Sequence, residues 1–374
     1  MGSLIGDREA RMLLSQWCEA GDRALGQRLS QRGAVTVVEE ILAGSSPLPS
    51  STGASGRVLG RMSSDEAIGR WVDPATSAAQ RLGARYLIPG DSEWPTQLDD
   101  LRESAPVGLW VAGAGNLRLL ALRSISVVGA RSATSYGESV ARELAAHLAE
   151  SGWLTVSGGA FGIDAAAHRG AMLAGGSTAC VLAGGVDVPY PRSHADLIAR
   201  IRESGALVSE SPLGGAAMRH RFLSRNRIIA ALSRGTVLVE AAVRSGGRST
   251  VREARQLNRV VMAFPGPVTS PMSAGCHAVI RDEGVHLVTS PREVVSLVEG
   301  CLAPVDAGAP SVTDGLGWRE RRILDAVPVR SPAPLASIAR LAGVGLTEAM
   351  AALGMLDALG LVQREGEGWR IRRE

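Results

Sequence analysis

Lysine is absent from the 374 residues, so all 40 basic side chains are arginine. Arginine binds phosphate bidentately through a planar fork and also stacks on bases, which an ammonium group does not do. A GC-rich genome that favours arginine codons accounts for most of the count, so local clustering has to carry any argument. Cysteine is scarce too. Cys18, Cys180, Cys276 and Cys301 lie far apart, with no CxxC pair and no histidine at zinc spacing, which argues against a cysteine-based metal site or a disulfide framework. The first residues lack the charged-then-apolar pattern of a signal peptide, and no uncharged apolar run is long enough to span a bilayer. The expectation is a cytoplasmic protein without a membrane segment. At a formal net charge of +3 the molecule as a whole does not advertise nucleic acid.

With 45% hydrophobic residues the chain can build a sizeable core, and 45 glycines without a fixed period point to many tight turns. Helical spacing across residues 7 to 43 (Leu13, Leu14 and Trp17, then Leu25 and Leu29, then Val37, Val38, Ile41 and Leu42), broken at Gly21 and Gly33, predicts a small helical N-terminal module over 1–43. "GSSPLPSSTGASGR" at 44–57 and "PVDAGAPSVTDGLG" at 304–317 read as linkers. The division that follows is a connecting region over 44–82, a central domain over 83–300, a linker over 301–317 and a last domain over 318–374.

The central domain repeats a rhythm of short apolar run, turn and helix. "ISVVG" (125–129), "WLTVSGG" (153–159), "TACVLAGG" (178–185), "ALVSE" (206–210), "TVLVE" (236–240) and "VVMAFPG" (260–266) have the continuous hydrophobicity of strands buried on both faces. Strands alternating with helices predict an α/β, doubly wound parallel sheet, whose ligands bind outside the carboxyl ends of the strands. The last domain reads as three short helices followed by two strands about an EGEG turn, the order of a winged helix, with Thr347 as the N-cap of the third helix.

Four strand-to-helix junctions carry unusual residues. In "VVGARSATSYG", Gly129 ends a strand and Ala130, Arg131 and Ser132 open a turn that presents N–H groups to an anion. In "VSGGAFGIDAAAHRGA", Gly158, Gly159 and Gly162 permit close backbone approach to a phosphate; Asp164 and His168 are equally well read as a first-turn acid and a polar helix residue. "RHRFLSRNRIIAAL" (219–232) sets Arg219, Arg221, Arg225 and Arg227 around Phe222 at a helix start, where the dipole prefers acids unless an anion is bound. Phe222 is either an exposed ring on which a base stacks or a core residue, with one or two of the arginines paired to acids such as Glu210. In "VEAAVRSGGRSTVREA", the glycine turn at Gly246 and Gly247 is flanked by Arg244 and Arg248, and Ser249 and Thr250 are placed to cap the next helix. No serine-histidine-acid or paired-carboxylate arrangement emerges.

Taken together these motifs, with "AGGVDVPYP", "SESPLG" and "FPGPVTSPMSAGCHAVIRDEG", resemble the DNA-processing protein A (DprA) family over roughly 83–300. The resemblance implies an extended Rossmann-like fold that binds and protects single-stranded DNA and helps load the RecA recombinase during natural transformation, without catalysis or a cofactor. It also implies a homodimer formed through this domain. Carried over residue by residue, DNA binding falls on Arg131, on Arg219, Phe222, Arg225 and Asn226, and on Arg244, Ser245 and Gly246; Gly129, Ser132, Gly158 and Gly159 join them from the two glycine turns. Leu223 stands where many relatives have proline, and Ala160 and Phe161 where small and basic residues are common.

A rival of another class is enzymatic. "GGRSTVRE" (246–253) echoes the PGGxGTxxE turn of nucleoside-monophosphate phosphoribohydrolases, with Ser249 in place of a glycine, and makes Glu253 a candidate for base cleavage. A protein-binding scaffold with a vestigial groove is a third reading.

Overall fold

The computed structural model describes residues 5–45, 62–282, 284–300 and 316–372. The Ser/Gly/Pro stretches expected as linkers lie largely outside these residues. The chain forms two compact units that divide between Leu302 and Ala303.

The larger unit is built on a sheet of nine strands: β1 (Ala84–Leu87), β2 (Leu109–Ala112), β3 (Ser124–Val128), β4 (Leu154–Ser157), β5 (Thr178–Val181), β6 (Ala206–Ser209), β7 (Gly235–Leu238), β8 (Val260–Ala263) and β9 (Val285–Leu287). Their spatial order is β1-β2-β6-β5-β4-β3-β7-β8-β9. From β6 to β9 every pairing is parallel, and all six apolar runs of the sequence supply strands there. The sheet is not wholly parallel, however: β1 and β2 add an antiparallel edge on β6. The chain winds outward from β3 through β4 and β5 to β6, then returns to lay β7 on the other side of β3. The strand order therefore reverses between β3 and β7, the place where open α/β sheets bind their ligands.

Residues 7–43 do not form a separate module. Helices Asp7–Trp17, Arg23–Arg32 and Ala34–Leu42 share one core with the sheet, in which Leu13, Leu14 and Trp17 join Trp110, Ile198 and Leu207. Part of the expected connecting region is helical as well. Ser64–Ala67 continues through a wider turn at Ile68–Val72 into Asp73–Leu82, and Trp71 meets Trp17 edge to face at 5.6 Å. Two further apolar layers cover the two faces of the sheet. One centres on Val156, Val208, Ile228 and Ile229, the other on Ile125, Leu144, Leu148 and Met262.

The smaller unit holds helices Trp318–Ala326, Leu335–Ala342 and Leu346–Ala358, with β10 (Ala333–Pro334), β11 (Val362–Glu365) and β12 (Gly368–Ile371) in the order β10-β12-β11. Its own core gathers Ile323, Ile338, Leu353, Val362 and Trp369. Thr347 does not cap the third helix. Gly345 takes that position, and the Glu348 carboxylate accepts its N–H at 3.2 Å. No single helix among the described residues is long and apolar enough to cross a membrane.

Candidate nucleic-acid interface

At the reversal between β3 and β7 the two turns that leave these strands pack against one another through glycine. A Cβ on Gly247 would lie 3.0 Å from the Gly129 Cα, and one on Gly129 would lie 2.6 Å from the Ile163 side chain and 2.7 Å from the Glu240 carbonyl. Only glycine allows this approach. Above it opens a groove of about 460 Å³, lined among others by Gly129, Arg131, Ser132, Phe222, Arg225 and Asn226, and on its far wall by Arg244, Ser245 and Gly246. All four junctions singled out in the sequence therefore meet in one place, the second of them through Ala160 and Asp164.

The walls are held by buried polar contacts. Glu240, fully buried at the end of β7, accepts the Thr134 N–H and hydroxyl, both at 2.8 Å, and its carbonyl accepts the Ala130 N–H at 2.7 Å. This one residue fixes the turn that carries Arg131. A Cβ at Gly137 would sit 2.3 Å from the Glu240 carboxylate, so the following helix needs glycine there. Helices Ile163–Leu173, Arg219–Leu232 and Gly247–Gln256 all start without a side-chain cap. The first of them spends its Ile163 N–H on the Ala130 carbonyl and the second enters the groove only at Phe222, so it is the last that offers the positive end of its dipole to an anion there, through Gly246 and Gly247. Ser249 and Thr250, expected as caps of the last of these, lie inside its first turn, with Thr250 buried.

The basic stretch separates into four different roles. Arg219 is exposed and stands outside the groove. Arg221 reaches back to Glu19 at 2.9 Å, and His220 meets the same carboxylate at 3.0 Å; the Arg221 contact, helped by His220, holds the Glu19 carboxyl below the usual range. Arg227 forms a buried bidentate pair with Glu210 at 2.6 and 2.7 Å. Arg225 is not on the lip: it is only 6% exposed and forms part of the floor, where it donates to the Val181 carbonyl. Burial depresses its pKa, while the nearby Asp164 charge opposes the shift. Among the described residues its buried Nε has no hydrogen-bond partner.

The glycines of the second junction serve that floor. A Cβ on Gly158 would fall 1.9 Å from the Arg225 guanidinium, and one on Gly159, at φ +72°, would fall 2.8 Å from the Cys180 sulfur. Neither lines the groove, so the close approach that the sequence suggested for a phosphate is made by Arg225. Asp164 is buried and accepts the Ala160 N–H at 3.3 Å; burial raises its pKa and the Arg225 charge pulls it back. His168 is also buried, with Nδ1 2.7 Å from the Thr178 hydroxyl.

Phe222 is half-buried at the lip. The guanidinium carbon of Arg131 stands 5.0 Å from its ring centroid, and Tyr190 tilts against it at 5.3 Å. Arg131 and Arg244 are both exposed, and among the described residues neither has an acidic partner at ion-pair distance. These two supply the free positive charge of the groove. Glu253 is not there. It lines a separate polar hollow with Arg23, Asp100, Arg102 and Glu103, not the groove that the glycine turn borders.

The family model described as DNA recombination-mediator protein A matches residues 85–299. The chain belongs to this family. A DprA relative from Mycobacterium tuberculosis is 43% identical over 305 residues, covering 78% of each chain. The crystal structure of DprA from Streptococcus pneumoniae superposes with a TM-score of 0.61 at 28% identity, over 78% of this chain and 98% of that one. DprA from Helicobacter pylori, whose structure is described as revealing a single-stranded DNA binding mode, shares the fold with a TM-score of 0.51 at 24% identity, over 58% of this chain and 96% of that one. The motifs gave no sign of Tyr190 against Phe222, of the Glu240 clamp or of Arg225 as part of the floor.

Proposed function

We propose that the chain binds single-stranded DNA along the groove between the β3 and β7 turns. The observation that carries this reading is the pairing of two exposed arginines that lack acidic partners among the described residues, Arg131 and Arg244, with a half-buried Phe222 ring at the lip of the same groove. Phosphates suit the arginines and the uncapped start of helix Gly247–Gln256, and an unpaired base suits the ring. A duplex hides its base faces, so the ring adds nothing to duplex binding. Ser132, Asn226, Ser245 and Gly246 complete the backbone-binding walls, and Gly246 has open space where a side chain would lie.

As a DprA-family protein the chain would hold and protect the strand and deliver it to RecA, acting as a homodimer through the larger unit, in the cytoplasm and without a cofactor. The smaller unit, with its three helices and hairpin, fits a winged helix. The test is a titration of the full chain with single- and double-stranded oligonucleotides of equal length. Tighter binding of the single strand, with little sequence preference, is expected; equal affinity for the two forms would overturn the assignment.

A further inference from the structure

Aromatic side chains are few in this protein, which makes their placement informative. Among the described residues of the larger unit the exposed Phe, Tyr and Trp side chains are Tyr136 (40%), Phe161 (48%) and Tyr190 (47%). All three lie in segments that follow the carboxyl ends of strands: Tyr136 after β3, Phe161 after β4 and Tyr190 after β5. Scattered exposed rings need no explanation, but rings confined to the ligand-binding edge of a sheet do.

Phe161 is the most telling of them. It follows Ala160, which lines the groove, in the turn after β4. The ring packs edge to face against His194 with centroids 4.6 Å apart. His194 is itself buried, and its Nδ1 lies 3.1 Å from the Gly159 carbonyl. The support under the ring is therefore fixed, while Phe161 itself is 48% exposed. A large apolar surface held still and left uncovered has the properties of a stacking platform, because little conformational entropy remains to be lost when a flat partner settles on it. Tyr190 extends the same edge and touches Phe222. Adjacent strands are about 4.8 Å apart. The turns after β5, β4, β3 and β7 are successive in the sheet, so they span about 14 Å from the Tyr190 turn to the Arg244 turn.

We infer that Phe161 is a second base-stacking station, which holds a nucleotide next to the one on Phe222 and extends the track from the β3–β7 groove toward the turns after β4 and β5. The inference rests on the single-stranded DNA reading of the groove. A base on Phe161 stacks by its face and needs no particular hydrogen-bond pattern, so the station is sequence-tolerant.

The experiment measures binding of the full chain to two probes of equal length and equal phosphate count, an oligothymidylate and an abasic strand. It uses the parent, Phe161→Ala and Phe161→Trp. Phe161→Ala is expected to bind the oligothymidylate about tenfold more weakly and the abasic strand as the parent does, with Phe161→Trp restoring affinity. Equal binding of the oligothymidylate by Phe161→Ala and parent overturns the station, and so does an equal loss on both probes, which would mean that the ring only shapes its turn. A parent that binds neither strand fails the groove reading itself, an outcome distinct from the other two.

Discussion

The Arg131 guanidinium lies over the Phe222 ring, 5.0 Å from its centroid, so the charge and the aromatic surface of the groove form one unit. Removing either changes what the other offers. Arg131→Ala and Phe222→Ala should each weaken single-strand binding, the latter by about 1–3 kcal/mol. The double variant should lose less than the sum, with a coupling of about 0.5–1 kcal/mol for a cation over an exposed ring. A double-mutant cycle on oligonucleotide affinity reads this directly, and strict additivity would show that the contact has no energetic role.

Arg225 and Arg244 both line the groove but differ in burial, and their variants should differ accordingly. Arg225→Ala empties the space under Gly158 and removes the donor to the Val181 carbonyl, so its melting temperature should fall along with its affinity. Arg244→Ala should melt like the parent. Thermal melting of the two variants side by side checks the distinction; normal melting of Arg225→Ala would contradict its place in the floor.

The Arg227–Glu210 pair is buried on both sides, at 6% and 8% side-chain exposure. Removing one partner leaves an uncompensated charge, which costs about 3–5 kcal/mol. Arg227→Ala should therefore destabilise the fold by that amount in denaturant titration, whereas Arg219→Ala, with no such contact among the described residues, should change stability by less than about 0.5 kcal/mol.

Acid should expose His168. The Thr178 hydroxyl donates to the Thr155 carbonyl at 2.7 Å, so Nδ1 of His168 must carry the hydrogen that Thr178 accepts, and Nε2 is left buried without a partner among the described residues. Burial, aided by the Arg225 charge, lowers its pKa from 6.5 to about 3. The unfolded chain then binds a proton between these values and the folded chain does not. Stability is lost as pH falls from about 6.5 toward about 3, by at most about 5 kcal/mol. On acidification over this range the parent should lose unfolding free energy relative to His168→Phe, because the variant lacks the titrating group; parallel curves would place the acid sensitivity elsewhere.

Much of the central architecture was legible because buried parallel strands leave continuous apolar runs, as "ISVVG" and "TVLVE" do. The antiparallel edge was harder to see: "LWVA" of β2 is four residues long and sits between glycines. Within the basic stretch, helical periodicity held information that the cluster as a whole obscured. Phe222, Arg225, Asn226 and Ile229 recur at one-turn intervals and share the groove face, whereas Arg227 projects from another face toward Glu210. No local pattern reveals Glu19, about 200 residues from Arg221, or the Glu240 carboxylate that clamps the Arg131 turn. Both depend on how the chain closes on itself.

The most direct test of the account is the slope of log affinity against log salt for a single-stranded oligonucleotide, measured on the parent and on Arg131→Ala/Arg244→Ala. Each phosphate contact releases counterions worth about 0.7 in this slope. The double variant should bind more weakly and show a slope flatter by about 1.4. An unchanged slope would contradict the claim that these two arginines hold the phosphates of a bound strand.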